Sequence, residues 1–335
     1  MATATEAPAS STAEGLIPHT HFRFQPAVKE ARPVRALIDG PPGSGRTLAA
    51  LRMAAELGQS IAVIDTERGR SRQYAHLVPF QVIDLADFHP ANLALALYEA
   101  AAAGADVTVI DSWSAFWTGP GGHLEQVQTV NASARAGGNP NFGWNEMRPL
   151  ERQMLEAVMC HPGHLIATLR DKVEVVLRTD ADGRQVPTRV GLRPEQQASI
   201  EYDVDFAATM LPTHELLVSK SSAPGLDGEP LTDPAGVGKT LRAWADEGTP
   251  RGPHTGLLHR AYDPNATYAS LSQLAQDVQH HRASGMAALD RHGLATTLAD
   301  VISLRLKAAY KREQEAARTA AIDAARQPAP EGTAA

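Results

Sequence analysis

Residues 40–47, Gly-Pro-Pro-Gly-Ser-Gly-Arg-Thr, combine the residue types that can surround a phosphate group. Glycines allow backbone N–H groups to converge on one anion, and the N-terminus of a following helix adds partial positive charge. The Thr47 hydroxyl lies where it can bind Mg²⁺. This phosphate loop predicts a nucleotide site; the alternative is a tight turn between a strand and a helix. The residues predicted to bind nucleotide are Gly40, Pro41, Pro42, Gly43, Ser44, Gly45, Arg46, Thr47 and Leu48.

An arginine, Arg46, stands where this loop pattern carries lysine. Lysine reaches the β- and γ-phosphates as a compact point charge, whereas the guanidinium group is planar and bulkier, so the exchange is not conservative. We therefore expect nucleotide binding to survive the substitution better than hydrolysis does. Slowed turnover and near-normal turnover both remain open, because the chain uses arginine heavily and lysine rarely.

A second segment, Gly236-Val-Gly-Lys-Thr240, resembles the end of the same pattern and contains the lysine that the phosphate loop lacks. Asp233 occupies the position that requires the first glycine, and a stretch rich in proline and glycine precedes it where a strand is needed. We interpret this segment as a chance match.

Carboxylates follow two apolar runs of the sequence. Asp65 and Glu67 follow the first run, and Asp111 closes the second. A carboxylate at the end of a parallel strand can activate water or hold Mg²⁺. We assign the activation of water to Glu67, and we assign the binding of Mg²⁺, together with Thr47, to Asp111. Alternatively, Asp65 and Glu67 only cap the following turn. Arg170 ends a further run, where it could sense a γ-phosphate or be an ordinary surface arginine.

Short apolar runs alternate with longer helical patterns between residues 33 and 220, which predicts an α/β fold with a mostly parallel sheet flanked by helices. The predicted strands of this sheet are 34–39, 61–66, 81–85, 107–111 and 165–169. The predicted helices are 47–57, 91–103 and 146–159, each stopped near a glycine or proline. A hairpin is predicted with strands 173–177 and 186–190, followed by strands 202–210 and 215–219 and a linker at 221–238.

Helical periodicity returns after about residue 257, which predicts a small α-helical C-terminal unit. Both ends of the chain are poor in large apolar residues and are predicted to be disordered tails. The predicted divisions are a tail at 1–20, a core domain at 21–247, the helical unit at 248–326 and a second tail at 327–335.

The chain has 335 residues, a net charge of −7 and a single cysteine, Cys160. These values exclude a disulfide scaffold, a collagenous chain and a protein that is basic throughout. No apolar run is long enough for a membrane span, and the N-terminus lacks a basic stretch followed by an apolar one, so we expect a cytoplasmic protein with no membrane partner. Cys160, His161 and His164 lack the ligand spacing of structural zinc.

The order of these segments resembles the RecA-like P-loop ATPases, and more narrowly the bacteriophage AAA-type ATPases that include RecA-like single-strand annealing proteins. The matching segments are 37–47, 61–69, 109–113, 165–170 and 217–220. The resemblance implies a RecA-like core, ATP and Mg²⁺ as cofactors, Glu67 as catalytic base and Asp111 as the Walker B aspartate. It also implies that Arg170 couples nucleotide to a DNA-binding loop, while Arg46 departs from the lysine of the family.

Two segments could contact single-stranded DNA. Residues 112–145 carry five aromatic side chains that could stack on bases or pack onto their own domain: Trp113, Phe116, Trp117, Phe142 and Trp144. The hairpin segment 170–193 carries a net charge of +2. We expect a homo-oligomer, as a filament or ring, in which Lys220 could reach a neighbour's γ-phosphate.

The predicted function is that of an ATP-binding protein, and of an ATPase if Arg46 permits turnover, in phage or bacterial DNA recombination, replication or repair. One alternative is a nucleotide-dependent scaffold that does not hydrolyse ATP. Another is an AAA+ remodelling motor with the helices after residue 257 as its lid. An arginine finger and a sensor arginine in that lid would be required for the motor, and the sequence assigns neither.

Overall fold

The computed structural model describes residues 26–133, 135, 137–179, 185–194, 200–248, 254–281, 283–290 and 295–326. The predicted tails 1–20 and 327–335 and the hairpin turn 180–184 lie outside the described residues. The strands are β1 Arg35–Asp39, β2 Ile61–Asp65, β3 Gln81–Asp84, β4 Val107–Asp111, β5 His164–Thr168, β6 Asp171–Thr179, β7 Gln185–Pro194, β8 Phe206–Met210, β9 Leu216–Ser221, β10 Ala287–Leu289 and β11 Ala295–Thr297. The helices are α1 Arg46–Leu57, α2 Pro90–Ala102, α3 Ser114–Thr118, α4 His123–Ala132, α5 Phe142–Cys160, α6 Ile200–Asp203, α7 Pro234–Asp246, α8 His254–Tyr262, α9 Tyr268–His280 and α10 Leu298–Arg326.

Among the described residues, the main sheet has seven strands in the order β3-β2-β4-β5-β1-β8-β9. All neighbouring strands are parallel except β9, which runs antiparallel to β8. This arrangement confirms the predicted α/β class with a mostly parallel sheet. Within the described ranges, none of the helices combines the length and the apolar character that crossing a bilayer requires.

Helices cover both faces of the sheet, which explains why its central strands read as nearly continuous apolar runs. Leu51 and Leu57 of α1 pack with Leu241 of α7 against one face. Leu97 of α2 and Val158 of α5 pack in the core of the other face. Because β1, β2, β4 and β5 run parallel to one another, their carboxyl ends meet at one edge of the sheet.

Helices α8, α9 and α10 share a third core with the β10–β11 hairpin. This core reaches the sheet domain at α2, where the rings of Tyr98 and Tyr262 meet edge to face at 5.1 Å. The division at residue 247 between a core domain and a helical unit stays a prediction.

Several predicted elements differ from the observed ones. The helix predicted at 146–159 begins earlier, at Phe142, and both hairpin strands are longer than predicted. The strand predicted at 202–210 begins only at Phe206, because the preceding residues form the short helix α6. The linker predicted at 221–238 ends early, because α7 begins at Pro234. The Asp233 side chain accepts a hydrogen bond from the backbone N–H of Ala235, and an aspartate cap followed by proline is a strong helix start.

The lysine-containing segment 236–240 lies in the first turns of α7. Lys239 pairs with Glu56 of α1 at 3.9 Å. The Asp233 side chain caps the start of this helix, where a phosphate loop would need a glycine after a strand, which supports the interpretation of this segment as a chance match.

Candidate nucleotide site

The phosphate loop joins β1 to α1 at the carboxyl edge of the sheet, as its pattern predicts. Gly40, Gly43 and Gly45 all have positive φ angles, of 148°, 81° and 94°. A Cβ atom on Gly40 would lie only 2.5 Å from the carbonyl oxygen of Met210, whereas Gly43 faces open space. The Ser44 hydroxyl is buried and has no hydrogen-bond partner in the described structure. An orphaned buried hydroxyl within a glycine loop fits a phosphate ligand.

Thr47 and Asp111 meet at the same edge. The Thr47 hydroxyl donates to Asp111 Oδ2 at 2.8 Å, and the Thr168 hydroxyl donates to Asp111 Oδ1 at 2.5 Å. Burial raises the pKa of Asp111, and these two hydroxyl groups oppose that rise. The peptide bond between Asp111 and Ser112 is cis. A hydroxyl beside a carboxylate supplies the oxygen ligands that Mg²⁺ prefers, so the residues present fit this ion.

Asp65 and Glu67 have different surroundings, although only one residue separates them. Asp65 is buried and its carboxylate accepts the backbone N–H groups of Glu67 at 2.7 Å, Gly69 at 3.1 Å and Ser71 at 3.0 Å. The Ser71 hydroxyl donates to the same carboxylate. Asp65 therefore caps the turn after β2, which was one of the two alternatives for this pair.

Glu67 forms ion pairs with two arginines at the sheet edge. Arg170 Nε donates to Glu67 Oε1 at 2.9 Å, and Arg70 approaches Glu67 Oε2 at 3.3 Å. The Glu67 side chain is only 12% exposed, whereas the side chains of Arg170 and Arg70 are 40% and 71% exposed. The backbone N–H of Arg170 donates to the Ser114 hydroxyl at 2.9 Å. Arg170 therefore belongs to the same cluster as Glu67 and is not an isolated surface arginine.

Arg46 folds back onto the loop that precedes it. Its guanidinium group donates to the carbonyl oxygen of Pro41 at 2.7 Å and also to that of Gly40. Burial lowers the pKa of Arg46, and the carboxylates of Asp111 and Glu67 oppose this effect. Both bonds come from Nη1, and a guanidinium group has five N–H donors, so a phosphate group in the loop can bind Arg46 with these bonds kept or exchanged.

Residues 32–219, more than half of the chain, match the sequence profile of a family described as an AAA domain. The chain belongs to this AAA domain family. No curated protein matches the chain. Such AAA domains are nucleotide-binding P-loop ATPase domains, and the matched range contains the phosphate loop and the carboxylates at 67 and 111.

Three residues of the AAA domain that sequence reasoning missed lie against these groups. Thr168 is a polar residue at the end of an apolar strand, β5, which is a signal that the sequence does contain. The pairing of β5 with β4, which brings Thr168 to Asp111, is visible only in the structure. Asp171 begins β6, and its N–H donates to the carbonyl oxygen of Gly40 at 3.3 Å. His214, in the turn between β8 and β9, lies 170 residues from its partner Ser44, and nothing local in the sequence indicates that contact.

The aromatic segment of the AAA domain is mostly internal. Trp113, Phe116 and Trp117 are buried, whereas Phe142 is half-buried and Trp144 is 39% exposed. Of the two alternatives for this segment, stacking on bases or packing onto its own domain, Trp113, Phe116 and Trp117 therefore follow the second. Residues 112–145 also contain α3 and α4, which glycine and asparagine content had hidden from the sequence reading.

The histidines near Cys160 support the sheet of the AAA domain. The backbone N–H of Val34 donates to His164 Nδ1 at 3.0 Å, and the His161 ring pairs with the Thr108 hydroxyl at 3.0 Å. In the part of the chain that the structure describes, no cluster of three or more His, Cys, Asp or Glu side chains has the arrangement of a metal site. Lys220, predicted to reach a neighbouring subunit, bonds the carbonyl oxygens of Glu201 and Tyr202 at 2.8 Å each.

Proposed function

We propose that this AAA domain binds ATP with Mg²⁺ and hydrolyses it slowly, and that nucleotide controls binding of single-stranded DNA. The observation that carries the proposal is the convergence of Thr47, Asp111, Glu67 and Arg170 at the edge that holds the phosphate loop. Catalysis of phosphoryl transfer consists largely of positioning and charge stabilisation, which such a cluster can supply.

Each group has a proposed role. The backbone N–H groups of residues 43–48 and the Arg46 guanidinium bind the phosphates. Thr47 and Asp111 hold Mg²⁺, which would neutralise charge on the phosphate oxygens. Glu67 orients and deprotonates the attacking water, and Arg170 responds to the terminal phosphate.

Two contacts support slow turnover. The Arg46 Nη1 group bonds the carbonyl oxygens of Gly40 and Pro41, and we propose that these bonds hold the guanidinium against the loop and limit its reach to the β- and γ-phosphates. The Glu67 carboxylate is engaged by Arg170 through Oε1 and by Arg70 through Oε2, so an attacking water must share these oxygens with the guanidinium groups or displace them. We propose that both contacts slow the chemical step.

The β6–β7 hairpin is the proposed DNA contact. It leaves the sheet directly after Arg170, and its first residue, Asp171, bonds the phosphate loop through Gly40. The sequence of 170–193 carries a net charge of +2 on an acidic chain, which favours phosphate contacts. We propose a homo-oligomeric protein of the cytoplasm that acts in phage or bacterial DNA recombination, replication or repair.

The same contacts support a second candidate, a scaffold in which ATP sets conformation without being hydrolysed. Arg46 is engaged by the loop itself, and Glu67 is engaged by arginines. If these bonds persist in the ATP complex, the groups needed for hydrolysis stay occupied while the cradle of N–H groups still binds nucleotide.

One set of measurements separates these candidates. ATP affinity and phosphate release are measured with Mg²⁺, with and without a single-stranded oligonucleotide, for wild type, Arg46→Lys and Glu67→Gln. An ATPase shows turnover that Glu67→Gln abolishes with little loss of ATP affinity, and that Arg46→Lys increases. A scaffold binds ATP but has no turnover for Glu67→Gln to remove. Glu229→Gln, an exposed residue outside the site, is the matched control. Absence of ATP binding by wild type would refute both candidates.

DNA binding has its own measurement. Fluorescence anisotropy of a labelled oligonucleotide is followed with and without ATP and Mg²⁺. We expect tighter binding with nucleotide and a steep decrease of affinity with salt, because phosphate contacts release counterions. Equal and weak binding in both conditions would contradict the DNA part of the proposal and leave the ATP part standing.

A further inference from the structure

The turn between β8 and β9 closes against the phosphate loop from the side opposite to the catalytic cluster. In the sheet, β5, β4 and β2 lie on one side of β1, and β8 and β9 lie on the other. Asp111, Glu67 and Arg170 belong to the first side, at the ends of β4, β2 and β5. A triphosphate whose terminal phosphate faces Glu67 therefore directs its nucleoside toward the β8–β9 turn.

His214 is the residue of this turn that contacts the phosphate loop. Its Nδ1 atom lies 2.8 Å from the carbonyl oxygen of Ser44. A Cβ atom on Gly45 would lie 3.3 Å from the same nitrogen, so the ring packs closely on the loop. The His214 backbone has a φ of 68°, in the left-handed region that asparagine, aspartate and histidine adopt more often than other non-glycine residues. The turn also closes through the N–H of His214, which donates to the carbonyl oxygen of Leu211 at 2.9 Å.

The tautomer of the His214 ring follows from this contact. A carbonyl oxygen only accepts hydrogen bonds, so Nδ1 must carry the proton that it donates to Ser44. In the neutral ring, Nε2 is then an acceptor, and within the described residues it has no protein partner. His214 is an exposed residue, so the part of its ring that faces away from the loop can be reached by a ligand.

We infer that His214 contacts the nucleoside of the bound nucleotide while its inner edge supports the phosphate loop. Nε2 accepts a hydrogen bond from a hydroxyl or amino group of the nucleoside, and the ring face is available for stacking on the base. His214 thereby makes the site prefer a nucleoside triphosphate over a bare triphosphate. This inference rests on the proposed function, because it requires that nucleotide occupies the phosphate loop.

The two edges of the ring can be tested separately. Asparagine tolerates a positive φ, and its amide nitrogen can donate to Ser44 in place of Nδ1, so His214→Asn keeps the support of the loop but removes the outer edge. His214→Gly keeps the backbone conformation but removes both edges. Thr213→Ala is the matched control, because the Thr213 hydroxyl bonds Glu215 within the turn and does not contact the loop.

The experiment measures calorimetric affinity for ATP and for inorganic tripolyphosphate, both with Mg²⁺. We expect His214→Asn to weaken ATP binding about fivefold or more, as loss of one stacking contact does, and to leave tripolyphosphate binding within about twofold of wild type. His214→Gly should weaken the binding of both ATP and tripolyphosphate, and Thr213→Ala should change the affinity for neither.

Three results would overturn the inference. If His214→Asn lowers the affinity for ATP and for tripolyphosphate equally, the ring only supports the loop. If it lowers the affinity for neither, the ring contacts no ligand. If wild type binds ATP and tripolyphosphate with equal affinity, the site does not read the nucleoside. Wild type that binds neither ligand refutes the proposed function itself, which distinguishes that failure from failure of the inference alone.

Discussion

We predict that His164 lowers the stability of the folded chain in mild acid. It begins β5 at the end of the sheet opposite to the phosphate loop. Because the N–H of Val34 donates to its Nδ1 atom at 3.0 Å, this nitrogen must be unprotonated in the folded state. Burial lowers the pKa of His164 to about 4, and the guanidinium groups of Arg242 and Arg35 add to this effect, while Asp246 and Asp106 oppose it.

The sign and size of the effect follow from linkage between protonation and folding. The ordinary pKa of histidine, 6.5, applies to the unfolded chain, so between pH 6.5 and about 4 the unfolded chain binds a proton that the folded chain does not. His164 therefore costs no stability above pH 6.5 and destabilises the fold progressively as the pH falls. At about 1.4 kcal/mol per pH unit, the loss is about 2.5 kcal/mol near pH 4.5.

Asp39 has the opposite effect over almost the same range. Burial raises the pKa of Asp39 from 3.8 to about 6, and the hydrogen bond from Thr209 opposes this rise. The folded chain then binds a proton that the unfolded chain lacks, so Asp39 stabilises the fold as the pH falls through 6, by up to about 3 kcal/mol. The two contributions nearly cancel in wild type, so wild-type stability alone does not reveal either of them.

Two variants separate the contributions of His164 and Asp39 to stability. His164→Asn removes the titration but keeps an acceptor near Val34, because the asparagine side-chain oxygen can occupy the position of Nδ1. Urea unfolding at about pH 7 and about pH 4.5 gives the free energy of unfolding of each chain. We expect the variant to gain about 2.5 kcal/mol relative to wild type at the lower pH. A difference between the two chains that does not change with pH would refute the reasoning. Asp39→Asn is the complementary variant. Its free energy of unfolding minus that of wild type should be smaller at about pH 4.5 than at about pH 7, because only wild type gains stability from protonation of Asp39.

Three further changes test the site. Thr168→Val removes the hydroxyl bonded to buried Asp111 and should lower the free energy of unfolding, measured with urea, by about 1–3 kcal/mol. In calorimetry it should weaken ATP binding only when Mg²⁺ is present. Thr168→Ser keeps the hydroxyl and should retain both the stability and the ATP affinity of wild type. Asp65→Ala leaves three backbone N–H groups unpaired and should lower the free energy of unfolding by about 3 kcal/mol or more; an unchanged urea midpoint would contradict its role as a cap. Gly40→Ala places a Cβ atom 2.5 Å from a carbonyl oxygen and should abolish ATP binding in the same calorimetric assay, whereas Gly256→Ala, in open space, should not.

Local signals in the sequence predict the fold class and the edge where the site lies. The phosphate loop is contiguous, and its glycines need positive φ angles that can be anticipated from residue type alone. The carboxylates at 67 and 111 follow apolar strands, and parallel strands bring their carboxyl ends to one edge whatever their order. These inferences depend on residues close in sequence, for which conformation follows from spacing.

Element boundaries were less predictable where two signals competed. Glycine and proline at 221–238 indicated a linker, although Asp233 and Pro234 start α7 within it. In the same way, glycine and asparagine in 112–145 obscured α3 and α4. Burial against the sheet stabilises these helices, and burial is a property of neighbours that local composition does not report.

Only the tertiary structure decides which side chains meet. The sequence by itself determines that Asp65 and Glu67 follow one strand, but the sheet order and the path of the turn decide that Asp65 caps backbone N–H groups while Glu67 faces Arg170. Two further contacts join segments that lie far apart in the chain. Thr168 contacts Asp111, and His214 contacts the phosphate loop. The physical reason is that backbone propensity acts over a few residues, whereas hydrogen-bond partners are set by the packing of whole strands.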